Sequence, residues 1–329
     1  NKFRDVDYMF RLDFRRFFNT VFFETYYLTR NTTDNSFYQD TYKIIDDIKF
    51  RLVQFKLGMK QPFYGSLFEH SISKQYYRAF IKEQVQTNEY GTLEAGAAYD
   101  YYKGTIFNTN WSLNMIKKSA NSSINPSGGF KIGTELGIEL NKFIEGLNLS
   151  DSGTLTEEFK DYDLIRALGY GNYYYSIPKF KNWTIALKAE VGWIDNQDVD
   201  SFFHFYLGGM PGIKGYSFYS IQGPKKVFID FTLRAPIFME KHYKLSWMTI
   251  QNSTIGIVFQ NGDAWDGRYL NKQSVGIQLR INGFSFYNFP TAIELEYHKP
   301  TVTFETEINN ISIKYGEYGK TYIKVLFDF

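Results

Sequence analysis

Hydrophobic and polar residues alternate along most of this chain. Tyr8, Phe10, Leu12 and Phe14 are interleaved with Asp7, Met9, Arg11, Asp13 and Arg15, and a period of two puts successive side chains on opposite faces of a strand. A second strand is predicted from about Thr20 to Thr29, and the polar stretch Arg30 to Asp46 reads as a long loop. Ile48, Phe50 and Leu52 are then in phase, but the apolar positions slip to Val53, Phe55, Leu57 and Met59, which is what one extra residue in a bulged strand would cause. A less regular strand covers Ser71 to Glu83. From Gly91 the alternation is clean, with Leu93, Ala95, Ala97, Tyr99 and Tyr101 on one side, and a separate strand is expected near Asn110 to Lys117.

The run Ser119 to Gly129 is a turn by composition. Phe130, Ile132, Leu136, Ile138 and Leu140 follow in phase against Lys131, Gly133, Glu135, Gly137 and Glu139, then a polar loop from Asp151 to Lys160 and a strand from Tyr162 to Tyr175 that Pro178 closes. The most legible strand carries Trp183, Ile185, Leu187, Ala189, Val191 and Trp193 on one face; tryptophan at both ends of an apolar face suits an interfacial belt. Further along, Val227, Ile229, Phe231, Leu233, Ala235 and Ile237 oppose Lys226, Phe228, Asp230, Thr232, Arg234 and Pro236. Strands at Thr254 to Gly262, Ser274 to Gly283 and Thr291 to Lys299 precede a polar excursion from Pro300 to Gly319, and Thr321, Ile323, Val325, Phe327 and Phe329 end the chain in alternation.

Charge lies on one face of the clearest strands: Lys188 with Glu190, Asp230 with Arg234, Glu294 with Glu296. About fourteen strands, many roughly ten residues long and joined by long polar loops, match an all-β transmembrane antiparallel β-barrel with lipid outside and a polar lumen, and closure would leave no unpaired edge in hydrocarbon. A soluble aromatic-rich β-protein, such as a carbohydrate binder with Tyr and Trp platforms, shares the same alternation and stays open. Aromatics make up 19% of the 329 residues, with 32 Phe and 27 Tyr, yet the mean hydropathy is −0.36 and 22% of residues are charged. No run of about eighteen apolar residues occurs, which excludes a transmembrane helix but not a barrel, whose alternating strands average to a polar hydropathy.

A net charge of +2 gives no case for nucleic acid. With no cysteine there is no thiolate metal site, cysteine nucleophile or disulfide framework. No G-x-S-x-G elbow, H-E-x-x-H pair or phosphate-binding loop is found, and His70, His204, His242 and His298 are scattered without ligand spacing. No catalytic residue, metal site or cofactor is therefore expected. The chain starts at Asn1 without a signal peptide or initiating methionine, which implies a processed chain or the C-terminal part of a longer one.

One stretch breaks the strand pattern. His204 to Gly223, HFYLGGMPGIKGYSFYSIQG, combines Gly208, Gly209, Gly212 and Gly215 with Phe205, Tyr206, Tyr216, Phe218 and Tyr219. Glycines let backbone approach a wall closely, while the aromatics bury area and hold one conformation. The order Leu207-Gly208-Gly209 followed by Ile213-Lys214-Gly215-Tyr216 resembles the sixth extracellular loop of the BamA-type outer-membrane barrel superfamily, which includes bacterial surface antigens and two-partner secretion barrels. The resemblance covers about Asn110 to Phe329, includes Thr232 to Ile237, and extends to Val258 to Trp265, where Phe259 and Gly262 match an F-x-D-x-G strand.

That resemblance implies a single barrel domain over residues 1–329, of roughly sixteen strands, with the loop folded into the lumen and its tip cation on a strand carboxylate. Both usual partners are altered here: Lys214 stands for arginine, losing the planar fork, and Gln260 stands for the acidic residue. Lys214 is therefore expected to hydrogen-bond Gln260 or to approach Asp263, Asp230 or Glu296, with Arg234 and Gly262 on the same wall. Five strands follow the loop, as the resemblance implies, and nine precede it where eleven would be needed; two either precede Asn1 or are merged around Phe63 to Glu83 and Gly146 to Lys160. Phe327 and Phe329 resemble the C-terminal signal of such barrels.

The resemblance carries no enzymatic site. It implies the Gram-negative outer membrane, contact with outer-membrane lipids and lipopolysaccharide, and client proteins or accessory envelope lipoproteins as partners. Two roles follow. One is insertion or translocation of proteins, with a weak seam between the first and last strands; the other is anchoring and display of an upstream periplasmic domain, propeller or patatin-like. Gly262 to Trp265 and Phe284 to Pro290 look most like the members bearing a TolB-like propeller.

Overall fold

The computed structural model describes residues 7–16, 18–38, 42–87, 91–117, 126–149, 155–218, 220–239, 241–286, 289–308 and 311–327. Among the described residues the fold is all-β, and fifteen strands share one antiparallel sheet. Backbone packing divides the chain into two compact units, Asn1–Asn110 with Leu136–Ile165 and Trp111–Glu135 with Arg166–Phe329.

The first unit is built on β1 (Tyr8–Arg16), β2 (Asn19–Tyr38), β3 (Tyr42–Phe63), β4 (Ser66–Thr87), most of β5 (Gly91–Asn114), the part of β6 (Gly129–Leu149) from Leu136 onward and β7 (Leu155–Asp161), hydrogen-bonded in the order β1-β2-β3-β4-β5-β6 with β7 beside β6. Its strands differ from the sequence expectations at four places. The polar stretch Arg30 to Asp46 is not a long loop: β2 and β3 stay paired out to Tyr38 opposite Tyr42, because a ladder is made of backbone groups and does not require apolar side chains. Residues 39–41 at the tip lie outside the described residues.

The slip at Leu52 to Val53 is not a bulge, since β3 keeps an unbroken register with both β2 and β4. Leu52 is buried while Phe55 and Leu57 are exposed on the other face, so apolar residues simply occupy both faces. The two strands expected around Gly91 and Asn110 are one, β5. Finally, the second half of the polar loop Asp151 to Lys160 is β7, paired to β6 across an irregularity between Ile144 and Gly146. Most of the predicted turn at Ser119 lies outside the described residues, but Lys117 donates its N–H to the Gly128 carbonyl, closing its base.

The second unit follows the order β8 (Leu164–Ser176), β9 (Thr184–Ile194), β12 (Lys225–Phe238), β14 (Met248–Trp265), β15 (Lys272–Ser285), β16 (Phe289–Pro300) and β19 (Lys320–Phe327), with the short β13 (Tyr243–Lys244) on β14. Between β9 and β12 come a single 3-10 turn at Ser201–Phe203 and the two-residue strands β10 (Phe205–Tyr206) and β11 (Gln222–Gly223). The polar excursion Pro300 to Gly319 is not mere loop; it holds the hairpin β17 (Phe304–Ile308) and β18 (Ile311–Tyr315). Five sheet strands on the main path follow the glycine stretch, as the sequence predicts, and nine strands precede it.

The two faces of this unit invert the arrangement of a water-soluble protein. Val191, Trp193, Ile229, Ile255, Ile257, Ile277, Leu295 and Ile323 are exposed, Ile257 at 60% and Ile323 at 71%. Gln260, Ser274, Gln278, Arg280, Asn282, Glu294, Glu296 and His298 are buried on the other face. Register produces this: Gln260 opposes Asp230 and Ser274, and Glu296 opposes Gln278 and Tyr322, so polar residues line up across neighbouring strands.

Candidate functional site

The glycine stretch folds back along this polar wall. Its sharpest element joins Leu207 and Ile213: the Ile213 N–H donates to the Leu207 carbonyl at 2.7 Å and the Gly209 N–H to the Ile213 carbonyl at 3.2 Å. Gly209 has φ +80°, a left-handed conformation that a side chain would oppose. Leu207, Ile213 and Tyr216 are fully buried; each apolar side chain of this size stabilises the inserted loop by about 1.5–3 kcal/mol.

Beyond the turn the backbone presses on β15 and β16. A Cβ on Gly215 would lie 2.8 Å from Ser274 Cβ and 3.0 Å from the Pro300 nitrogen, so only glycine fits there unmoved. Tyr216 sends its hydroxyl to the Val302 carbonyl at 2.7 Å, and its ring meets Phe304 of β17 at 5.5 Å. Burial pushes the Tyr216 phenol up from its ordinary value.

Lys214 is held three ways. Its backbone N–H donates to Gln260 Oε1 at 2.8 Å, its carbonyl accepts from the Tyr322 hydroxyl at 2.8 Å, and its ammonium lies 2.6 Å from Glu296 Oε2. Glu296 also accepts from Lys324 Nζ at 2.9 Å and from Gln278 Nε2 at 2.6 Å, and its Oε2 lies 3.3 Å from His298 Nε2. A carboxylate with no solvent exposure is tolerable only when its oxygens are paired in this way. Burial pulls the Lys214 ammonium below its ordinary value, against the attraction of Glu296.

The sequence candidates divide accordingly. Of the carboxylates offered for Lys214, the structure brings Glu296 to it. Asp263 is not its partner: Asp263 takes Lys272 Nζ at 2.5 Å and the Leu270 N–H at 2.6 Å. Asp230 accepts from Gln260 Nε2 at 2.6 Å and from the Thr232 hydroxyl at 3.1 Å. Gln260 bonds the backbone of Lys214 rather than its side chain, and Ser274 Oγ donates to the same oxygen at 3.1 Å. Arg234 Nε donates to Gln278 Oε1 at 3.0 Å, and Gly262 lies in the ladder opposite Phe228 and Lys272. Phe327 is exposed on the apolar face; Phe329 lies outside the described residues.

Sequence reasoning missed Gln278, Lys324 and Tyr322. Lys320, Tyr322 and Lys324 share the polar phase of the last strand, so that signal was present, but which row each residue joins depends on register.

No model of a known protein family matches this chain, and neither does any curated protein. Among solved structures it is similar to the crystal structure of BamA from Haemophilus ducreyi lacking POTRA domains 1-3, at 10% identity and a TM-score of 0.44, over 98% of this chain and 71% of that one.

Proposed function

We propose that this protein is an outer-membrane β-barrel of the BamA type that acts in insertion or translocation of proteins. The observation that supports a membrane location is the inverted sheet of the second unit, with Ile, Val, Leu and aromatic side chains facing out and charged or amide side chains at or near zero exposure on the opposite face. In water, that many exposed apolar residues on one contiguous face would drive association; against hydrocarbon they are the stable choice. β9, β12, β15 and β16, of 11, 14, 14 and 12 residues, are each long enough to cross, since a tilted spanning strand needs about 9–11.

The role in insertion or translocation is supported by the Leu207 to Tyr216 motif together with its place against the polar wall. A second reading, anchoring and display, is favoured by one feature: the tip ammonium is bound to a carboxylate that is itself saturated by Lys324 and Gln278, which suits a permanent stopper. One experiment tests the membrane location that both readings share, and a second separates them. The chain should require detergent for extraction and float with phosphatidylcholine vesicles after an alkaline wash; recovery as a detergent-free monomer would overturn the membrane reading. Depletion in the source bacterium should lower the levels of other outer-membrane proteins, and unchanged levels would leave the anchor.

A further inference from the structure

Beside the loop tip the second unit holds a cleft of 350 Å³ whose walls include Lys188, Lys214, Arg234, Arg280 and Lys324 against Asp230, Glu294 and Glu296. The carboxylates are already engaged. Glu296 takes Lys214 and Lys324; Glu294 takes Lys324 at 2.8 Å and Arg280 at 3.3 Å; Asp230 takes the Gln260 amide and the Thr232 hydroxyl. Lys188 is satisfied by Glu190, at 2.7 Å, which Lys226 shares.

Arg234 is left over. It is half-buried, and among the described residues its recorded hydrogen bond is the one from Nε to the neutral amide of Gln278. Its stem crosses Gly256, where an added Cβ would meet Arg234 Cγ at 3.4 Å, so the missing side chain on β14 lets the arginine lean over its neighbour toward β15. Arg280 stands on the next polar row of β15, and both guanidiniums line the cleft with Lys188 and Tyr174 of β8. Guanidinium does not deprotonate. Among the described residues no carboxylate pairs with this half-buried, permanently charged fork, which faces a cleft lined by five cations and three carboxylates, Lys188 having Glu190 besides.

We infer that this cleft binds a phosphate-type oxyanion, held by the Nη groups of Arg234 with Arg280 and Lys188 completing the cradle. Planar forks bond two oxygens of such a group at once. Neither role proposed for the barrel is needed for this, because the site depends only on the polar wall.

The test uses the full chain in a neutral detergent, titrated calorimetrically at low ionic strength with inorganic phosphate and, separately, with glycerol 3-phosphate as a soluble mimic of a lipid headgroup. Binding of either, weakened about tenfold or more in Arg234→Met and less in Arg234→Lys, which keeps charge without the fork, is the expected result; which probe binds tells a free phosphate from a headgroup. Lys241→Gln, an exposed cation elsewhere in the chain, should bind as the parent does. Where Arg234→Met fails to fold, phosphate should still protect Arg234 of the parent from an arginine-selective dicarbonyl, read by peptide mass. No binding of either probe, equal binding by Arg234→Met, equal loss in Lys241→Gln or no protection of Arg234 overturns the inference.

Discussion

Replacing Lys214 by Met removes the ammonium but keeps the length of the side chain and both backbone contacts of the tip, those to Gln260 and Tyr322. Glu296 would then keep Lys324 and Gln278 as partners at zero exposure. Breaking a buried ion pair outright costs about 3–5 kcal/mol. Because Lys324 still compensates the charge, the cost here should fall nearer that of one charge-assisted hydrogen bond, about 2–3 kcal/mol. Glu296→Gln strips both ammonium groups of their shared carboxylate and should cost the larger amount.

The absence of native cysteine allows a direct assay of that difference. Ile213 is fully buried, so a thiol introduced by Ile213→Cys reacts with a maleimide only when the loop leaves the wall. With opening fast relative to labelling, the rate follows the open population, and about 2–3 kcal/mol corresponds to roughly 30- to 150-fold faster labelling in Lys214→Met. The combined Lys214→Met, Glu296→Gln chain should be less impaired than the sum of the two changes. Labelling within about threefold of the parent in both single variants would refute the view that the ion pair holds the tip.

Other outcomes follow from the same geometry. Gly215→Ala, with its new methyl 2.8 Å from Ser274 Cβ, should release the loop by about 1–3 kcal/mol in the same labelling assay. Ile257→Arg or Ile277→Lys, on the exposed apolar face, should cost about 2–4 kcal/mol of folding stability in a bilayer, measured by urea titration in vesicles; no loss would mean that this face meets water. Burial holds His204 below its ordinary value, against Asp266 and Asp200. A folded-state value depressed below the unfolded one means that stability is intact above about pH 6.5 and falls as the pH drops below it, so acid should raise the labelling rate at residue 213 relative to that of a free thiol at the same pH, since maleimide takes the thiolate, and His204→Gln should remove that part of the pH dependence.

Alternation in Trp183 to Trp193, Val227 to Ile237 and the final strand was enough to predict all-β structure and which side chains share a face, because a strand's period of two is a local property. The Gly208 to Tyr216 motif, too, marked a loop that packs, since glycine and buried aromatics act through short-range sterics. Locality also explains the errors. The backbone pairing of Arg30 to Tyr38, of Tyr42 to Asp46 and of Leu155 to Asp161 is invisible in polar side chains, and apolar residues on both faces around Leu52 imitated a bulge.

The choice among Asp230, Asp263 and Glu296 as the partner of Lys214 needed the register of strands far apart in the chain. Glu296 reaches the tip because β16 aligns it with Gln278 on one side and Tyr322 on the other, whereas Asp263 is claimed nine residues later by Lys272. The sequence by itself determined the alternating faces and the presence of a loop that packs. Only the tertiary structure decided which charges meet, because a shift of one residue in the pairing of β16 would turn Glu296 to the opposite face.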